Sequence, residues 1–352
     1  MFFKESFKMS DNQTKNRVTI YQVAHQANVS LATVSRVINN HPNVTEKTRQ
    51  RVLDTIKVLG YKPSALAQSL AKAKTTNVGI MLPENSYVYT SNMLSGMVTV
   101  AKSYGFRSSL FVTKRIKADA QSQVEKLITS HVDGAVIYDD ELSIEELSIL
   151  KKYEVPVVII GHEIEDQFTA SVPLDFKSGI LQAVDAYYER GGREITFLQV
   201  DSEGFLMDEL RDELNRHCRE KSMTFSIIDC DDSYQRLYMD MCTRFRNNPN
   251  THGYFIAPRD SLACAVTNAA TDLGLKVPQD IEVLSVIGTK YSYIARPQIS
   301  SLSLDMFMVG SIAMRMLTKF MTNPEKLKKK VYPLKANYVV RGSTNDPADP
   351  TL

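Results

Sequence analysis

Two periodicities divide this chain. Up to about residue 71 the apolar positions recur at helical spacing, and from Val78 onward short apolar runs alternate with helical patterns. The first part predicts a helix over Ile20 to Gln26, a turn through Ala27-Asn28-Val29, and a second helix beginning at Leu31 with Ser30 as its cap. Asn28 suits that turn, because Asn tolerates the left-handed backbone that a tight helix–helix turn often needs. A third helix is entered at Thr45-Glu46-Lys47-Thr48 and ends at Gly60. Thr45 is placed as its N-cap, Glu46 suits the positive helix end, and Val52, Ile56 and Leu59 supply its buried stripe. Tyr61-Lys62-Pro63 breaks the chain, and Ser64 to Ala71 reads as a short helix with too few large apolar residues to be stable alone. Past Val78 the runs are VGIMLP, SSLFVT, DGAVIY, VPVVIIG, EITFLQ, FSIIDC, GYFIA and EVLSVIG. Strands alternating with helices predict parallel sheets covered on both faces, and there are more such runs than one compact sheet usually needs.

The second helix carries the candidate chemistry. At about 100° per residue, Thr33, Val34, Val37 and Ile38 fall on one side, and Leu31, Ala32, Ser35, Arg36 and Asn39 on the other. The first set has the composition of a core. The second has what a recognition helix needs: an Arg that can fork onto guanine O6 and N7, small residues that permit close approach, and Leu31 and Ala32 for thymine methyls. Ser35 and Asn39 equally suit phosphate, which fixes register without reading sequence. A plainer reading, the solvated face of a small helical bundle, stays open for Arg36 taken alone.

Charge sharpens this picture. The net charge is +2, yet residues 1–76 hold twelve Lys and Arg against four Asp and Glu, a balance of +8 that leaves −6 on the rest. Positive charge gathered on a small domain is the footprint of a polyanion partner. The N-terminal MFFKESFKMSDNQTKN lacks an apolar core and is expected to be a disordered tail, not a signal peptide; no apolar run approaches a membrane span. Cys218, Cys230, Cys242 and Cys264 show no CxxC or zinc spacing, so buried reduced thiols in a cytoplasm are expected. The 6 His are scattered without metal spacing, and no metal or cofactor is expected.

The stretches TIYQVAHQANVSLATVSRVIN, HPNV and RVLDTIKVLGYKPSALAQSLA closely resemble the headpiece and hinge of LacI-family (LacI/GalR) transcription regulators, and within them the catabolite control group of Gram-positive bacteria. The resemblance is long and ungapped and includes the hinge. It implies that Leu31, Ala32 and Arg36 read bases, that Tyr21, Ser30, Thr33, Ser35 and Asn39 back them mostly on phosphate, and that Asn43 and Leu66 join the DNA-contacting set. Leu70 becomes a hinge wedge entering the minor groove at a central CpG step, an insertion that bends the duplex; docking of Leu66 and Leu70 on the headpiece is the other reading. Gln22 stands where the family usually carries Asp, with little effect expected on DNA reading.

The implied architecture is an all-α helix-turn-helix headpiece plus an α/β core of two Rossmann-like lobes of periplasmic-binding-protein type, the chain crossing between lobes three times. The expected boundaries are a tail over 1–16, headpiece 17–62, hinge and linker 63–76, core 77–342 and a tail over 343–352. Lobe one takes 77–191 and 299–322; lobe two takes 192–298 and 323–342. The resemblance places an effector in the cleft, with Asp175 and Asp260 retained there. Asp175 has a helix N-cap as its alternative role. Other positions depart: Leu210 sits where the usual Arg falls, one residue from Arg211, and Ser285, Val286, Ile287 and Gly288 replace the usual Gly-Phe-Asp-Asp. Tight binding of a free sugar is therefore not expected.

A protein partner is the other route to control. Phe307, Ser311, Arg315 and Lys319 stand at i,i+4 steps and so share a helix face. In the resembled group this face receives HPr phosphorylated on serine, the Arg gripping phosphate as a charge-assisted fork. Phe307 replaces a Tyr and Met308 an Asp, so a solvated basic face remains the alternative. An enzyme is disfavoured by the lack of a P-loop, a GxGxxG after a strand and a nucleophile elbow; the doublets Asp139-Asp140 and Asp231-Asp232 read as loop residues or caps. A sugar-binding protein without DNA function would share the lobes, but the headpiece argues against it. The expectation is a dimeric cytoplasmic transcription regulator, a repressor or dual regulator of carbon metabolism, under HPr or small-effector control; a LacI-type paralogue answering to a non-sugar small molecule is the alternative.

Overall fold

The computed structural model describes residues 18–39, 41–61, 77–83, 88–114, 117–138, 150, 152–164, 166–200, 204–323, 325, 327 and 329–347. Two compact units divide between Thr75 and Thr76.

In the first unit, helices α1 (Ile20–Gln26), α2 (Leu31–Ile38) and α3 (Glu46–Leu59) enclose Val23, Ala24, Ala27, Val34, Val37, Val52 and Tyr61. Thr19 opens α1 in a reciprocal capping box: the Gln22 amide N–H donates to Thr19 Oγ1, and the Thr19 N–H donates to Gln22 Oε1 at 2.7 Å. Gln22, a departure from the family pattern, therefore does the capping that a carboxylate would do. Asn28 adopts φ +47°, the left-handed turn its identity predicts, and Gly60 closes α3 at φ +63°. Thr45 sits at the N-cap of α3 as expected but makes no side-chain bond to the helix backbone; its hydroxyl donates to Thr48 Oγ1 at 3.0 Å instead. Asn28→Val is expected to cost the headpiece about 1–2 kcal/mol, since a β-branched side chain clashes at positive φ. Thermal unfolding of the full chain, followed on the headpiece transition, checks this; an unchanged midpoint contradicts it.

The second unit holds two six-stranded sheets. In chain order its elements are β1 (Asn77–Pro83), α4 (Val88–Ser103), β2 (Arg107–Thr113), α5 (Lys117–Thr129), β3 (Gly134–Ile137), β4 (Val157–Gly161), β5 (Thr169–Asp175), α6 (Lys177–Glu189), β6 (Glu194–Val200), α7 (Gly204–Glu220), β7 (Thr224–Cys230) and α8 (Tyr234–Asn247). Then follow β8 (Gly253–Arg259), α9 (Asp260–Asp272), β9 (Ile281–Ile287), α10 (Lys290–Ile294), β10 (Ser300–Ser303), α11 (Met306–Thr322), β11 (Leu334–Lys335) and β12 (Asn337–Val339). Sheet one runs β11-β5-β4-β3-β1-β2 and sheet two β12-β10-β9-β8-β6-β7, all pairings parallel except β10 with β12. The eight apolar runs are β1 to β4 and β6 to β9. The inner strands β1, β3, β4, β8 and β9 bury both faces, as parallel strands sandwiched by helices must, while the edge strands β2 and β7 keep exposed positions: Val78, Ile80 and Leu82 share a core with Met93 and Met97 of α4, while Met81 packs with Val124 and Leu127 of α5.

The other four strands, β5 and β10 to β12, are not legible as apolar runs. β10 is Ser-Ser-Leu-Ser, yet Ser300 and Ser301 are fully buried, because the segment after β12 supplies their partners. Ser300 Oγ accepts from the Arg341 N–H at 2.8 Å, and Arg341 Nη1 donates to Ser301 Oγ at 2.7 Å. Ser343 and Thr344 are buried in the same seam, so residues 343 and 344 belong to the core and not to a tail. The lobe crossings also fall elsewhere than expected. Helix α6 packs on α7 and β12, so the first crossing follows β5 near Phe176; β10 pairs within sheet two, and β11 within sheet one. Short polar strands are placed by their hydrogen-bond partners, which hydropathy does not register.

Candidate DNA-reading surface and core sites

Helix α2 is held from below by Val34 and Val37, both buried, with Thr33 and Ile38 half-buried as the angular sorting predicts. Leu31, Ala32, Arg36 and Asn39 are exposed on the opposite side, and Ser35 is half-buried. Ser30 caps the helix: its Oγ accepts from the Thr33 N–H at 3.2 Å and lies 2.8 Å from Thr33 Oγ1. Asn39 turns back on its own helix, donating Nδ2 to the Ser35 carbonyl at 2.9 Å. Ser30, Thr33, Ser35 and Asn39 thus fix the two ends of α2, which leaves Leu31, Ala32 and Arg36 as its outward presentation. Tyr21 on α1 is 70% exposed, and Asn43 is exposed in the loop before α3. That loop is pinned by Arg49, whose Nη2 donates to the His41 carbonyl at 2.7 Å. Leu66 and Leu70 lie outside the described residues.

In the core, Asp175 ends β5 and caps the turn into α6, accepting from the Ser178 N–H at 2.9 Å and from Ser178 Oγ. It also lines a cavity of about 440 Å³ with Leu174, Lys177, Leu206, Glu209, Leu210, Asp212, Glu213 and Arg216. The cap reading of Asp175 is thus observed, and the same carboxylate also faces the cavity. Lys177 reaches Glu213 at 3.0 Å across this cavity, and Glu213 also pairs with Arg216. These two cations hold the Glu213 carboxyl below its usual range against the opposing effect of burial, which is the largest single influence on it. Leu210 is buried and puts an apolar wall on the cavity, while Arg211 is spent on Asp208, Asp212 and Gln199.

Asp260 is not brought to this cavity. It is 2% exposed, and its carboxylate accepts from Thr289 Oγ1, the Ser292 N–H and Ser292 Oγ, tying the start of α9 to α10. Its expected effector role gives way to a structural one. The doublet Asp231-Asp232 was also more than a capping pair. Asp231 does cap, accepting from the Ser233 N–H at 2.8 Å, but Asp232 forms an ion pair with Arg259, at the end of β8. No sequence signal linked those two residues.

Helix α11 exposes Phe307, Met308, Arg315 and Lys319. Ser311, predicted on the same face, is 6% exposed because α4 lies over it. The cause is a close helix crossing: a Cβ added at Gly96 would sit 2.1 Å from the Phe307 carbonyl oxygen, and one at Gly310 2.0 Å from that of Met93. Glycine at both positions lets the two backbones touch.

Among the described residues no group of three or more His, Cys, Asp or Glu can hold a metal, and no helix is long and apolar enough to cross a membrane. Cys218 and Cys242 are buried, whereas Cys230 and Cys264 are only half-buried; none is in a disulfide. Burial pushes the Cys218 and Cys264 thiols up to about 11, which makes both poor nucleophiles.

A helix-turn-helix unit whose second helix has an exposed face, joined in one chain to a core of two mostly parallel sheets, defines a class of DNA-binding transcription regulator. Residues 19–64 match the bacterial regulatory proteins of the lacI family, and residues 184–344 match the periplasmic binding protein-like domain. The chain is 31% identical over 312 residues to catabolite control protein A of Staphylococcus epidermidis, covering 88% of this chain and 94% of that protein. It is 31% identical over 334 residues to catabolite control protein A of Priestia megaterium, covering 93% and 99%. Among solved structures, the lac repressor dimer bound to operator and the anti-inducer ONPF superposes with a TM-score of 0.78 at 22% identity, over 94% of this chain and 99% of that one. The transcription regulator CcpA of Lactococcus lactis superposes with a TM-score of 0.64 at 22% identity, over 76% and 99%. The chain belongs to the LacI family of bacterial transcription regulators, and that family consists of regulators, not enzymes.

Proposed function

We propose that this regulator works in catabolite control: as a cytoplasmic homodimer it reads a pseudo-palindromic operator with α2, and serine-phosphorylated HPr docking on α11 raises its affinity for DNA. The observation that carries the DNA half is the outward set Leu31, Ala32 and Arg36 on a helix anchored by Val34 and Val37. Tyr21 and Asn43, exposed beside it, suit phosphate and set register. Dimerisation is supported by one edge strand of each sheet, since β2 exposes Leu110 and Val112 and β7 exposes Ile227, apolar edges that a second copy covers. The HPr half rests on Arg315 and Lys319, exposed one turn apart, which suit a phosphate and its acidic surroundings.

Adding serine-phosphorylated HPr is expected to tighten operator binding by roughly 5- to 150-fold, the usual span of a coupling between two sites. Arg315→Ala should abolish that gain and leave DNA binding without HPr unchanged. Fluorescence anisotropy of a labelled operator reads both.

A second reading is favoured by two particulars: Met308 offers HPr a thioether, and Ser311 is covered by α4. On this reading the protein answers to a non-sugar small molecule held in the cavity by Asp175, Lys177 and Glu213 beside the apolar Leu210. Operator binding indifferent to phospho-HPr selects it.

A further inference from the structure

Sheet two reverses its strand order between β8 and β6, with β9 and β10 following on one side and β7 on the other. Doubly wound sheets take their ligands in the crevice beyond the carboxyl ends of the strands at such a reversal. Arg259 is the last residue of β8, and Asp232 lies two residues past the end of β7, with β6 between those strands. Their ion pair therefore spans the end of β6, across the crevice itself.

We infer that the Arg259–Asp232 ion pair is a bar built across the lobe-two crevice, and that these two residues set its specificity by closing it to uncharged polyols. The inference deepens the effector half of the proposed function and rests on no claim about DNA or HPr. Arg259 is 6% exposed, so its guanidinium is an internal part of the crevice wall and not a surface charge. Its partner is the more accessible of the two, with one third of the Asp232 side chain in contact with solvent.

Among the described residues, two neighbouring polar side chains are satisfied by the chain's own atoms. Asp260, beside Arg259 in sequence, accepts from Thr289 and Ser292, and the Ser285 hydroxyl at the β9 end donates to the Ile287 carbonyl at 2.7 Å. A sugar hydroxyl entering here gives up its water and meets groups already paired, which is the condition under which buried hydrogen bonding fails to repay desolvation. A removed partner leaves a buried charge, so the pair also resists opening by single substitutions.

The test uses the full-length protein and two readouts. First, calorimetric titration of the wild-type chain with ribose, glucose and cellobiose is expected to give no binding at millimolar sugar. Saturable binding of any of the three overturns the inference. Second, the Arg259→Asn/Asp232→Ser double variant removes both charges and strands neither. Hydrogen exchange at the amides of Val200, Cys230 and Ser233 is expected to quicken more than about tenfold in this variant, with β1 to β4 unaffected, because the crevice edge opens locally. Unchanged exchange at those amides means that nothing spans the crevice, and the inference fails. A double-mutant cycle gives a further check: the destabilisations by Arg259→Ala and Asp232→Ala must sum to more than that of the double Ala variant. Strict additivity overturns the pair. Failure of the HPr or operator experiments leaves all these readouts untouched.

Discussion

Arg36→Ala weakens binding to the preferred operator by about 1–3 kcal/mol and flattens base preference at one position in each half-site. The expectation follows from the way α2 is held. Val34 and Val37 are buried beneath the helix, and the Ser30 cap fixes its first turn, so the Arg36 stem leaves a rigid platform on the exposed side. A fork onto guanine depends on that rigidity, because its two hydrogen bonds need one orientation. The flanking Ser35 and Asn39 are already tied to each other, with Asn39 Nδ2 3.4 Å from Ser35 Oγ, and do not compete for the same base edge. Anisotropy titrations against an operator series with each half-site position permuted measure the effect. A loss of equal size on every sequence makes Arg36 a phosphate contact and contradicts the assignment.

Gly310→Ala destabilises the core by about 1–3 kcal/mol, the usual consequence of forcing a methyl group into a filled space. Here the obstacle is backbone: the new Cβ would lie 2.0 Å from the Met93 carbonyl oxygen, and no side-chain rotation relieves that. Helix α11 must move off α4, which uncovers Ser311 and shifts the exposed row of Phe307, Arg315 and Lys319. Thermal unfolding of the core transition reports the first effect, and an unchanged midpoint contradicts the close crossing. Gly342→Ala is the matched control, since its Cβ would meet nothing nearer than Pro297 Cβ at 3.2 Å, a crowding that a shift of a few tenths of an ångström relieves.

The headpiece was legible because each signal there is local. Asn28 marked the left-handed turn, Gly60 the helix end, and the angle around α2 separated Val34 and Val37 from Leu31, Ala32 and Arg36; every one of these is decided within a few residues. The apolar strands were legible for the same reason, since a strand buried on both faces, as β1, β3, β4, β8 and β9 are, needs an unbroken apolar run. Features depending on distant partners were not. Ser300 and Ser301 form a buried strand only because Arg341, Ser343 and Thr344 return to satisfy them. Asp260 keeps the family's residue type at its position, but Thr289 and Ser292 turn it into a tie. Arg259 and Asp232 stand far apart in sequence, and the strand order of sheet two alone brings them together.

The most direct test of the central claim is selection of duplexes from a randomised pool by the purified full-length protein at near-physiological salt, followed by sequencing. The account predicts a pseudo-palindrome whose half-sites each contain a guanine that the Arg36→Ala protein no longer selects. Salt dependence of binding to the selected duplex should show several phosphate contacts. A pool that stays random while the protein still binds DNA in a salt-dependent manner would contradict the account, because α2 would then hold phosphate and read no sequence.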